Sequence, residues 1–120
     1  CMTAAVLRVA VAQATPVLFD PAATAERAVA WIRRAAEARA DWLLFPEAYL
    51  PAYPRGLGMG TVLGARSAEG RELYRRLWDS AVTIPGPEVD LIAQAARECG
   101  LWVALGAVER VPSRHHTLYC

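Results

Sequence analysis

The sequence contains no lysine: all 13 of its basic side chains are arginine. Together with abundant alanine, that bias points to a GC-rich coding sequence more than to a function. Long apolar runs are also missing, and none approaches the roughly 20 residues a membrane-spanning helix needs. The net charge is only +1, too little to favour nucleic acid or an anionic membrane surface. Cysteine is scarce: Cys1, Cys99 and Cys120 are odd in number and far apart. No disulfide framework or metal-ligand spacing follows, so a reducing cytoplasm is the expected compartment. The N-terminus lacks the basic region, apolar core and small-residue cleavage site of a signal peptide. Cys1 ahead of Met2 reads as a remnant, with Met2 the expected start. At 120 residues the chain is at most one domain, and its pattern of elements makes residues 1–120 the N-terminal portion of one.

The stretch around which the rest is organised is Trp42-Leu43-Leu44-Phe45-Pro46-Glu47-Ala48-Tyr49. A short apolar run, long enough for one buried strand, stops at a proline and delivers a carboxylate. Open α/β folds place functional groups in this way, at the carboxyl edge of the sheet. Ahead of it, Leu7–Gln13 reads as a first strand, so apolar that cover on both faces is expected. Asp20-Pro21 then supplies an N-cap acid and a proline at the first helical position. The helix runs to about Arg39, with Ala25, Ala28, Val29, Ile32, Ala35 and Ala36 on one stripe. Trp42–Phe45 is the second strand, which makes a β-α-β opening with a parallel pair.

Residues 50–65 show no usable periodicity and carry Gly56, Gly58, Gly60 and Gly64. They read as a long ordered loop. Ser67 to about Ala81 is a second helix, with Leu73 and Leu77 inward. Pro87 opens a third helix to Cys99, whose buried face is Val89, Ile92, Ala93 and Ala96, and Gly100 stops it. Leu101–Val111 is a third strand, residues 112–116 turn, and Thr117–Cys120 starts a fourth. The fold class is α/β. Strands and helices that look unfinished mark the chain as part of a larger domain.

The chemistry rests on few residues. Glu47 is either a general acid or base, its pKa tunable by apolar surroundings, or a surface glutamate after a strand. The glycines of the loop have neither dinucleotide-fingerprint nor Walker spacing, and no strand leads into them. His115 and His116 are adjacent, so they point apart in extended chain, and no third metal ligand is suitably spaced. Cys120 sits inside a strand pattern with nothing to lower its pKa, and reads as buried or half-buried rather than nucleophilic. Tyr49, Tyr53 and Trp78 either line a substrate pocket or pack the core.

These motifs resemble the nitrilase superfamily, the carbon–nitrogen hydrolases, across essentially the whole chain. The resemblance begins with Arg8-Val9-Ala10-Val11-Ala12-Gln13-Ala14 and centres on Phe45-Pro46-Glu47-Ala48. Tyr53-Pro54-Arg55-Gly56, Glu69-Gly70-Arg71, Ile84-Pro85-Gly86-Pro87-Glu88-Val89 and Thr117-Leu118-Tyr119-Cys120 look like the nitrilase branch, which includes cyanide-hydrolysing enzymes.

The resemblance implies a four-layer α-β-β-α sandwich, incomplete in this chain, and a Glu-Lys-Cys hydrolase that turns a nitrile into the carboxylic acid and ammonia. Glu47 matches the general base; Tyr49 and Tyr53 stay substrate-binding candidates on their position in the sequence. The family needs no metal or organic cofactor, binds neither nucleic acid nor membrane, and self-associates into homo-oligomers. Cyanide hydratase or dihydratase is the alternative activity, and a non-catalytic binding or assembly protein the alternative class. The departure from the family is plain: with no lysine present, the catalytic lysine is missing, and Cys120 matches a non-nucleophilic position. The 120-residue chain is therefore expected to be inactive alone and, with apolar surface uncovered, to aggregate.

Overall fold

Asp20, Pro21 and the alanine stripe behind them build the helix that the first two strands enclose. In the computed structural model, which describes residues 5–53, 67–115 and 117–120, the elements are β1 (Val9–Val11), α1 (Pro21–Glu37), β2 (Trp42–Leu44), α2 (Ala68–Ser80), α3 (Pro87–Cys99), β3 (Trp102–Ala104), β4 (Glu109–Arg110) and β5 (Leu118–Tyr119). The Asp20 carboxylate accepts the Ala23 N–H at 2.9 Å, satisfying one of the donors a helix start leaves free. Thr24, fully buried on the first turn, accepts the Val17 N–H at 3.0 Å and donates to the Asp20 carbonyl at 2.8 Å. That ties the loop after β1 to the helix. The helix ends at Glu37, two residues before the sequence suggests, and Arg39 turns into the left-handed region at φ 57°.

β1, β2 and β3 form a parallel sheet with β2 central, Ala10 paired with Leu43 and Leu43 with Val103. The fold is thus mixed α/β. One face of the sheet is covered by α1 and α3. Ala25, Ala28, Ile32 and Ala35 of α1 meet Ile92 and Ala95 of α3, Leu43, Phe45 and Leu101 in one core. Burying a side chain such as Ile32 or Leu43 contributes roughly 1.5–3 kcal/mol. On α3 the inward positions are Ile92 and Ala95 while Ala93 is exposed, a correction to the expected stripe. Val89, Ala96 and Cys99 are half-buried at its border.

The other sheet face is open. Val9, Val11, Trp42, Leu44 and Trp102 all point to it and are exposed, Trp102 to 69%, with the Trp42 and Trp102 rings stacked at 6.0 Å. The sequence expectation of cover on both faces holds for one face only among the described residues. Apolar alternation records that a strand face is meant to be dry, not what keeps it dry.

The expected single strand from Leu101 to Val111 is broken into β3 and β4. The interruption lies at Gly106, where a Cβ would stand 2.6 Å from the Ala48 nitrogen. The chain there runs against the turn after β2 instead of continuing the ladder, with isolated bridges from Leu50 to Ala107 and from Val82 to Glu109. β5 forms as expected and pairs antiparallel with β4, Glu109 opposite Tyr119. Most of the expected loop, with its four glycines and the Pro54-Arg55-Gly56 segment, lies outside the described residues, as do Cys1 and His116. No helix among the described residues is long and apolar enough to cross a membrane.

Candidate active site

Glu47 sits in a turn at the carboxyl end of the central strand, where a parallel sheet presents its ligand-binding edge. The turn is clamped from both sides by backbone bonds. The Phe45 N–H donates to the Ala104 carbonyl at 2.9 Å, and the Leu50 N–H to the Gly106 carbonyl at 3.2 Å. The Val108 N–H then returns to the Leu50 carbonyl at 2.7 Å. Inside the clamp, Ala48 takes a left-handed conformation at φ 48°, a strained choice for a residue with a Cβ. Ala48, Tyr49 and Leu50 are buried while Glu47 is exposed. The residues that follow anchor the turn, and Pro46 and the Glu47 side chain are held out to solvent.

Two cavities meet at this residue, sharing Pro46 and Glu47. One, of about 610 Å³, lies on the edge of the open sheet face and is lined by Val11, Gln13, Leu44 and Gly106 among others. The second, of about 930 Å³, is walled by the turn, by Tyr53, by Tyr74 and Leu77 of α2, and by the β4–β5 hairpin down to Cys120. Beneath it Ala48, Ala81 and Val108 form a small separate core with Leu118 packed against it.

Of the sequence candidates, Tyr53 is 57% exposed and lines the larger cavity. Tyr49 also borders that cavity but belongs to the core. It is 1% exposed, its ring lies 4.9 Å from that of Phe45, and its hydroxyl has no hydrogen-bond partner among the described residues. Burial pushes its phenol pKa up, and the charge of Arg27 offsets part of that rise. Trp78 is half-buried on α2. Cys120 is exposed, which corrects the buried or half-buried reading, and it shares the larger cavity with Glu47. His115 is exposed in the turn between β4 and β5. Among the described residues no group of three or more His, Cys, Asp or Glu side chains could hold a metal ion.

Sequence reasoning quoted Gln13 and Tyr119 only within motifs and gave no role to either, nor to Tyr74. Gln13 carried a usable signal: it is the polar residue that ends an apolar strand, as Glu47 ends the next. The meeting of Tyr74 and Tyr119 carried none, because only the tertiary fold brings α2 and the hairpin to the same cavity.

A parallel sheet whose central strand ends in a clamped, outward carboxylate defines an α/β scaffold with a working edge. The chain belongs to the carbon–nitrogen hydrolase family, whose model matches residues 8–120. It is similar to an aliphatic nitrilase from Sinorhizobium fredii (strain HH103), with 42% identity over 94% of this chain and 36% of that protein. Nitrilase 1 from Arabidopsis thaliana and a bifunctional nitrilase/nitrile hydratase from Nicotiana tabacum are each 38% identical over 95% of this chain and 32% of their own length. The chain thus spans about a third of the length of the curated relatives it matches.

Proposed function

We propose that residues 1–120 are the N-terminal portion of a single carbon–nitrogen hydrolase domain that converts an organic nitrile to its carboxylic acid and ammonia, with Glu47 as general base. The observation that carries this reading is the placement of Glu47. Among the described residues it is the one charged side chain common to both cavities, on a turn locked at the edge of the sheet, within a segment that matches the family. A carboxylate there takes the proton of a cysteine thiol. The thiolate adds to the nitrile carbon, and the carboxyl returns that proton to the nitrogen as the thioimidate forms. One water then releases ammonia and leaves a thioester, and a second water releases the acid and restores the thiol. A cation held beside the tetrahedral species stabilises its charge.

This chain has no lysine and Cys120 matches a non-nucleophilic position of the family, so we assign the cation and the nucleophile to the rest of the protein. The same remainder completes a four-layer α-β-β-α sandwich over the open sheet face and supports self-association into homo-oligomers. The chemistry calls for no metal or organic cofactor.

The test is ammonia release from a panel of nitriles by the full-length protein. Glu47→Gln is expected to lower kcat by roughly 10²–10⁴-fold, the usual contribution of a positioned base. Residues 1–120 alone are expected to release none. Undiminished turnover by Glu47→Gln, or turnover by residues 1–120, would refute the assignment.

A further inference from the structure

Phe19 stands where a bulky side chain is unfavourable. It is the third residue of a tight turn, closed by the Asp20 N–H on the Val17 carbonyl at 3.1 Å, and its φ is 61°. A turn that needs positive φ at that position favours glycine or asparagine, and a bulky residue there is strained. Such strain persists only where surrounding contacts outweigh it. The contact here comes from α2. The Arg76 guanidinium carbon lies 4.4 Å from the centre of the Phe19 ring, within cation–π range. Its neighbour Arg75 is engaged by Glu72 and Asp79 on the same helix, whereas Arg76 reaches across to the loop after β1. Arg76 adjoins Leu77 and lies one helical turn from Ser80, the buried side chains that dock this half of α2.

We infer that Arg76 and Phe19 form a clasp that fixes α2 against the loop after β1, and that the pair thereby positions the α2 wall beside Glu47. The two segments it joins both reach the site: the loop brings Pro16, and α2 brings Tyr74 and Leu77, to the cavity that Glu47 borders. Both partners of the contact belong to this chain, so the clasp is complete within it. Arg76 and Phe19 do not line that cavity themselves; they are positioning residues. A cation over a ring at a partly exposed site shifts an equilibrium by about two- to fivefold. That is enough to change how often α2 lifts and too little to decide whether the domain folds. The effect on turnover rests on the nitrile-hydrolysing reading above, while the clasp itself does not.

The experiment is hydrogen–deuterium exchange of the full-length protein, followed in peptides from α1, α2, α3 and the loop after β1, together with kcat and KM for a nitrile. Arg76→Met keeps the aliphatic stem and removes the charge; Phe19→Leu keeps apolar bulk and removes the ring. Each is expected to speed exchange in α2 by about two- to fivefold, while α1 and α3 exchange as in wild type, because the opening is local. Arg76→Lys is expected to restore most of the protection, and the double variant to exchange no faster than either single one. Phe19→Asn suits the turn but lacks the ring, so exchange should rise in α2 and not in the loop. In turnover, KM is expected to rise by about two- to fivefold with kcat near wild type. Unchanged α2 exchange in Arg76→Met, equal increases in all three helices, or additive effects in the double variant would overturn the clasp. Faster α2 exchange with an unchanged KM would overturn its part in positioning the wall. A wild-type protein that hydrolyses no nitrile sinks the hydrolase reading alone, and exchange still decides the clasp.

Discussion

Replacing Gly106 with alanine separates positioning of Glu47 from mere stability. The new Cβ would meet the Ala48 nitrogen at 2.6 Å and both the Glu47 Cα and the Pro46 oxygen at 3.0 Å. All three are backbone atoms, so no rotamer change relieves the clash. Ordinary contact begins near 3.4 Å, so the two segments must part by several tenths of an ångström to nearly one. Overpacking of this kind costs about 1–3 kcal/mol. Because the displaced atoms belong to the Glu47 turn itself, the carboxylate moves with them. A shift near 1 Å at a reacting group costs on the order of 10²-fold in rate. The full-length protein carrying Gly106→Ala is therefore expected to lose roughly 10²-fold in kcat along with about 1–3 kcal/mol in urea denaturation. Gly100→Ala is the control. Gly100 sits at the opposite end of β3 with φ +63° and nothing within 4 Å of an added Cβ, so alanine there costs about 1–2 kcal/mol of backbone strain and leaves kcat near wild type. Equal losses of activity in the two variants, or an unchanged kcat in Gly106→Ala, would refute the clamp as the device that places Glu47.

Thr24→Val keeps the shape of a fully buried residue but strands the Val17 N–H that its hydroxyl now accepts; urea denaturation should show a loss of about 1–3 kcal/mol. Tyr49→Phe removes a buried hydroxyl that has no partner among the described residues, so stability at neutral pH should hold or rise by up to about 1 kcal/mol. It should also flatten the alkaline limb. The Tyr49 pKa is raised in the fold, so the unfolded chain loses that proton first, near pH 10, and stability falls as pH climbs from there through the raised value. Glu72 is held below its ordinary pKa by its hydrogen bond to Arg75. Its contribution is present above the ordinary carboxylate range and fades as pH falls through the lowered value. Both partners are more than half exposed, so Arg75→Ala should leave the neutral-pH melting temperature unchanged within error. The 120-residue chain should elute from gel filtration as associated species, and Val11→Ser with Trp102→Ser should raise the monomer fraction, since both residues lie on the open apolar face.

The helices are legible in the sequence because their signals are local. Asp20-Pro21, Ser67 and Gly100 act on atoms within a few residues, and all three cap the helices their positions suggest. The parallel β-α-β unit follows from the same economy: two apolar runs flank one amphipathic helix. What the residue pattern misses is non-local. The break between β3 and β4 depends on the approach of Gly106 to a turn that lies far away in the sequence. The choice of Ala95 over Ala93 on α3 is fixed by packing against the core that α1 shares, and the repeat of alanines tolerates either phase.

The site divides along the same line. A carboxylate at the end of an apolar strand is visible in the residue order Phe45-Pro46-Glu47 alone. Its usefulness is not, because that comes from Gly106 beneath the turn and from the backbone bonds at Phe45, Leu50 and Val108 that hold its flanks. Those contacts also explain why Ala48 tolerates a left-handed conformation: buried neighbours over-determine it, and the strain keeps Glu47 turned outward. Tyr49 is a position where residue order leaves pocket and core both open. Its side chain is packed in the core while bordering the cavity, and Tyr53 and Tyr119 are the exposed tyrosines there. The turn therefore holds the Glu47 carboxylate outward at the sheet edge, which is the placement that the proposed role as general base requires.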